Sequence, residues 1–116
     1  MITGYYTDAD FVQHGFLRAP DGTFTTFDPP NSFIATQPSA INPAGVITGF
    51  YTNFPFNIPG FVRAPDGAFT TIDVPGATST NPTAINPARA ITGSYQDARG
   101  TFHGFLRTAY GTVTTF

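Results

Sequence analysis

The chain has 116 residues, the length of one ordinary domain, and 41 % of them are hydrophobic, so a packed core is expected and disorder is not. Five Arg, no Lys, seven Asp and no Glu leave a formal charge of −2, which excludes a basic, phosphate-tracking surface and argues against nucleic acid as a partner. Without Cys there is neither a disulfide framework nor a thiolate zinc site, and no stretch is long and apolar enough to span a membrane.

Thirteen Phe and five Tyr favour pleated, half-buried surfaces, while twelve Gly and eleven Pro suit short strands joined by tight turns. In chain order, Ile2–Gly4 (ITG) opens the first strand. No basic segment followed by an apolar run precedes it, so no signal peptide is expected. The chain instead opens inside a repeat, as a piece of a longer array or a short free-standing member does. His14–Ala19 (HGFLRA) reads as the next strand, with His14, Phe16 and Arg18 on one side and Gly15 and Leu17 on the other. Pro20-Asp21-Gly22 supplies the dihedrals of a tight turn, and Thr23–Asp28 (TFTTFD) forms a further strand, stopped by Pro29-Pro30.

The segments DPPNSFIATQP (28–38) and DVPGATSTNP (73–82) read as loops between units. A strand is expected around Ser39–Asn42 (SAIN), then the Asn-Pro turn of 42–45. Val46–Thr52 (VITGFYT) is the next strand, followed by Gly60–Arg63, a second Pro-Asp-Gly turn and Ala68–Asp73. The third unit repeats the order with Thr83–Asn86 (TAIN), Ile91–Gly93 (ITG), His103–Arg107 (HGFLR) and Thr112–Phe116. The three ITG triplets begin at Ile2, Ile47 and Ile91, which are 45 and 44 residues apart, and the GFLR, GFVR and GFLR blocks keep the same offsets.

This period, read as repeats of about 1–38, 39–82 and 83–116 in a single domain, carries four short strands per unit. Both faces of these strands hold apolar residues, so each sheet is expected to lie between similar sheets. The fold expected is all-β, of β-propeller type, with about three four-stranded blades. The first unit lacks its SAIN-type strand, which gives eleven strands in all. Three blades are too few to close a propeller, so closure by homo-oligomerisation is expected, with a dimer of six blades favoured. The alternative is a monomeric three-fold barrel of the β-trefoil kind.

The stretch AINPAGVITGFY, followed by HGFLR-type and TTFD-type segments, resembles the bacterial extracellular repeats named HAF for their His-Ala-Phe core. His14-Gly15-Phe16-Leu17 and His103-Gly104-Phe105-Leu106 match that core with Gly for Ala, whereas the middle copy reads Pro59-Gly60-Phe61-Val62. Arg18, Arg63 and Arg107 stand where such repeats usually carry Trp. The resemblance implies a propeller-like architecture and a secreted or cell-envelope setting, and it implies no reaction.

The candidate ligand-binding residues are the recurring polar and aromatic ones: Arg18, Arg63 and Arg107, with Tyr5, Tyr51 and Tyr95 beside them, and His14 and His103. Arginine next to aromatic rings suits a sugar or an anion. The structural reading pairs each arginine with Asp28 or Asp73 across a junction. The two histidines read either as a metal or proton-transfer pair or as structural donors to backbone carbonyls. Asp8, Asp10 and Asp97 lie in loops and hint at calcium, but no twelve-residue calcium loop accompanies them. No cofactor is expected.

No nucleophile motif, zinc-type His cluster or phosphate-cradling Gly loop appears, so a catalytic role is not expected. A non-enzymatic self-assembling module, with a glycan as the ligand its aromatic and Arg content suits, is the first reading. A purely structural repeat is the second, and a hydrolase or lyase on the same scaffold the weakest.

Overall fold

A computed structural model describes residues 1–53 and 57–116. Among these residues the chain is all-β, with eleven strands in three separate antiparallel sheets. The first sheet holds β1 (Ile2–Thr7), β2 (Gln13–Arg18) and β3 (Phe24–Phe27). The second holds β4 (Ser32–Ile41), β5 (Ile47–Asn53), β6 (Gly60–Arg63) and β7 (Phe69–Ile72), in that spatial order. The third repeats it with β8 (Ala77–Ile85), β9 (Ile91–Asp97), β10 (Phe102–Arg107) and β11 (Val113–Thr115).

The turns form for the reasons their residues dictate. Asp21 and Asp66 each accept a backbone N–H two residues on, from Thr23 and Ala68, while Gly22 and Gly67 take positive φ. Asn42 and Asn86 close the Asn-Pro turns by accepting the N–H of Val46 and Ala90 through their side-chain oxygens. Gly45 takes positive φ in the first of these turns, and Arg89 holds the same conformation in the second without a glycine.

The ITG glycine answers a close approach between strands. A Cβ on Gly49 or Gly93 would stand 2.6 or 2.7 Å from the Cα of Pro38 or Pro82 on the neighbouring strand. Those prolines sit in β4 and β8, just before a register shift. Both strands lie at the edge of their sheet, where a residue without an N–H is tolerated.

Here the structure departs from the sequence reading. The segments read as loops before SAIN and TAIN are strand from Ser32 and from Ala77, so the sheets break near 28–31 and 73–76 rather than at 39 and 83. Internal prolines and bulges hide these strands. Ile34 even takes a positive φ of 73° within β4.

The sheets pack face to face in sequence order. Phe27, at the end of the first sheet, is buried against Ile47, Tyr51 and Phe61 of the second. Ile72 and Val74 are buried in the same way against Ile91 and Phe105 of the third. Side chains tie the units as well: Gln37 donates to Gln13 Oε1 at 2.6 Å, Ser39 Oγ to the Pro82 carbonyl at 2.6 Å, and Asn42 Nδ2 to the Asn86 carbonyl at 3.2 Å. No ladder joins one sheet to another among the described residues; a single bridge, Ile58 to Ser79, crosses between the second and third. A trefoil needs strands shared in a common barrel, so the barrel alternative is set aside. The result is a flat body of 43 × 35 × 19 Å whose sheets do not close on themselves.

Candidate functional site

Two sets of polar side chains recur at equivalent places, one in the first and third units and the other in all three. The first lies at one end of the hairpins. In repeat one, His14 Nε2 meets Asp8 Oδ2 and His14 Nδ1 meets Asp28 Oδ2, both at 2.7 Å. Asp28 Oδ1 in turn accepts a 2.7 Å hydrogen bond from Thr36 Oγ1 of the next sheet. Both ring nitrogens therefore face carboxylate oxygens, an environment that favours the doubly protonated imidazolium. The carboxylate of Asp28, and then that of Asp8, hold the His14 pKa above the ordinary value of 6.5. Asp8 is held below the ordinary carboxylate value, first by its bond to His14 and then by the Val12 N–H.

Repeat three builds a shorter version. His103 Nε2 lies 2.8 Å from Asp97 Oδ2, and Tyr95 stacks on the imidazole with ring centroids 5.1 Å apart. His103 lowers the Asp97 pKa, followed by the Thr101 N–H. Tyr6 takes the same place over His14 at 5.4 Å. The β1–β2 pairing sets Tyr6, not Tyr5, opposite the histidine, so Tyr6 is the true counterpart of Tyr51 and Tyr95. Tyr5 lies opposite Gly15 and is exposed.

The histidines thus bond to carboxylates, and no backbone carbonyl partners either of them among the described residues. The loop carboxylates are engaged too. Asp8 Oδ1 accepts the N–H groups of Asp10 and Val12, and Asp97 Oδ1 those of Arg99 and Thr101. Among the described residues no group of three or more His, Cys, Asp or Glu side chains is arranged around a metal position. The imidazole of His14 stands between its two carboxylates.

Asp8 and Asp97 are thus histidine partners rather than calcium ligands of a loop. A signal for this role stood in the sequence. An Asp precedes each His by six residues, at Asp8 and Asp97, and both members are replaced together in the middle copy, by Asn53 and Pro59.

The second recurring set is the arginines with their aromatic neighbours. Arg63, on β6, is buried with its guanidinium carbon 5.0 Å from the centre of the Phe27 ring. Its Nε and Nη1 have no hydrogen-bond partner among the described residues, so the ring face is the contact that receives the charge. Phe27 also meets Phe61 at 6.2 Å and Phe69 at 6.0 Å, and Tyr51 is buried beside them with its hydroxyl 3.2 Å from Thr71 Oγ1. This constellation is the first junction.

Arg18 occupies the equivalent place in repeat one, 5.8 Å from the Phe24 ring of its own sheet, on a face that no sheet covers. Arg107 lines a cavity at the second junction with Val62, Thr70 and Arg89. The expected Arg–Asp pairing is absent among the described residues, where every ion pair uses a histidine. The structure gathers His14 with Tyr6 and Tyr95 with His103, and it sets Tyr51 on Phe61 and Arg63 on Phe27 within the first junction, but it does not bring the eight candidate residues into one site.

No protein family, curated protein or solved structure matches this chain in comparisons with known proteins.

Proposed function

We propose that the protein is a non-enzymatic repeat module whose partner is a second copy of itself, the two chains stacking head to tail into a six-bladed propeller. One observation carries this reading. The junction made twice inside the chain is left half-made at each end. Phe27 and Ile72 are 7 % and 2 % exposed, whereas their counterpart Phe116 is 77 % exposed. Ile47 and Ile91 are fully buried, whereas their counterpart Ile2 is 55 % exposed. Phe24, which corresponds to the junction residue Phe69, is exposed at the same end as Ile2, and Leu106 at the same end as Phe116.

One end therefore offers the ring that a junction needs, and the other the arginine and aromatic wall that receives it. Contiguous exposed apolar residues of this kind mark an interaction surface. The two patches differ, so the contact is heterologous, and such contacts end only when the rotation closes a ring. Six blades lie within the usual range for propellers. Strand β1 adds a second reason. Its equivalents β5 and β9 are flanked by β4 and β8, but β1 pairs with β2 alone.

The resemblance to HAF repeats supports a secreted or envelope setting for such an assembly. A lectin activity would use the same aromatic and arginine faces at the ends, since Arg63 and Tyr51 are buried at the first junction.

The chain has no cysteine, so engineered thiols report the contact directly. Phe24→Cys with Phe116→Cys places at the chain ends the pairing that Phe69 and Phe27 make inside. Oxidation is expected to give covalent two-chain species, with little linkage for the control pair Tyr5→Cys and Tyr110→Cys. Equal linkage in both pairs, or none in the first, contradicts head-to-tail stacking. Glycan binding by a chain that stays single, lost in Phe116→Asp, would assign the end faces to sugars instead.

A further inference from the structure

Repeat two keeps the frame of the His14 cluster without the ring. The positions of Asp8, His14, Asp28 and Thr36 correspond to Asn53, Pro59, Asp73 and Thr80. All four of these residues line one cavity of about 250 Å³, with Ser79 at its wall. In repeat one the same place is filled by an imidazole that touches an acceptor on either side. Proline cannot fill it in the same way, because its ring is closed onto its own backbone nitrogen and carries no N–H.

The groups left behind lack their partners. In repeat one the Thr36 hydroxyl bonds to Asp28, and Asp28 to the ring. In repeat two no hydrogen bond holds the exposed Asp73 carboxylate or the Thr80 hydroxyl among the described residues. Asn53 Oδ1 is buried without a partner as well. Its counterpart Asp8 Oδ1 accepts the N–H of Asp10, and the residue at that place in repeat two is Pro55, which has no N–H to give. Buried polar groups are ordinarily satisfied, so a buried acceptor without a partner, beside an exposed carboxylate and a void of this size, marks a place for a ligand.

We propose that this cavity binds a small planar nitrogen heterocycle of the imidazole class. One ring N–H donates to the Asp73 carboxylate. The other nitrogen meets the Asn53 amide, which offers an acceptor or a donor according to its rotation and so matches either protonation state of the ring. The ligand replaces the side chain that repeat two lacks. This site lies within the chain and does not depend on the assembly proposed above.

The test is an NMR titration of the full chain with imidazole at about pH 8, where the free ring is mostly neutral. Saturable shifts are expected at Ile58, Asp73 and Thr80. Asp73→Asn, an exposed and isosteric change, is expected to weaken binding by about tenfold, the size of one charge-assisted hydrogen bond. Pro59→His supplies the ring from within and is expected to abolish the response. Imidazole should also raise Tm in the parent chain and leave Tm unchanged in Pro59→His. Shifts that never saturate, or that persist unchanged in Asp73→Asn, overturn the proposal. Should Pro59→His fail to fold, the Asp73→Asn titration alone decides.

Discussion

At His14 an imidazole lies between two carboxylates, and its protonation is coupled to folding through both. Its pKa is raised in the fold, so the stability it contributes is complete below the ordinary imidazole value of 6.5 and fades as pH climbs through the raised value. Asp8 and Asp97 are lowered, so their contribution is present above the ordinary 3.8 and fades as pH falls through the lowered values. Tm is therefore expected to peak between about pH 4 and about pH 6.5 and to decline on the alkaline side. His14→Ala should flatten that alkaline decline in a thermal-denaturation series. An unchanged slope in the variant contradicts the assignment. The ITG glycine gives a second residue-scale prediction. Gly49→Ala forces a Cβ into the backbone of β4, and overpacking of this kind destabilises by roughly 1–3 kcal/mol or more in chemical denaturation. The repeat itself marks Gly49 and Gly93 as special, but their reason is not legible there, because the strand that crowds them carries a proline and reads as a loop.

Among the elements, the hairpins were the legible part. Alternating aromatic and β-branched residues around Pro-Asp-Gly turns predict β2–β3 and β6–β7, and those strands fall where expected. The long edge strands β4 and β8 were legible only in their last residues. A proline reads as a break in a strand, yet at a sheet edge it removes no ladder bond. The arginines were legible as a recurring feature, but Arg63 was not legible as a junction residue, because its partner ring, Phe27, comes from the neighbouring unit and belongs to no local pattern. The junction account predicts a contrast between equivalent phenylalanines. Phe27→Ala, which empties a buried site under Arg63, should cost about 3–5 kcal/mol of folding stability. Phe116→Ala should cost under about 1 kcal/mol in the isolated chain, because its ring is exposed there, while weakening association. Equal losses of folding stability in the two variants would mean that the two phenylalanines do not hold equivalent places.

For the whole molecule, the period announced a stack of similar sheets, and the structure shows three of them joined by two junctions of one design. Three blades with one first strand missing already predict an unclosed stack; what the sequence could not display is which side chains stand bare at each end, since exposure is a property of assembled faces. The bare wall of Ile2, Phe24 and Arg18 and the bare ring of Phe116 are the two halves of a third junction. The molar mass of the 116-residue chain in solution, by sedimentation equilibrium over a range of concentrations, tests this most directly. The account predicts a species of twice the 12.4 kDa chain mass that reverts to single chains in Phe116→Asp. A single-chain mass at every concentration, with the parent and the variant indistinguishable, would contradict it.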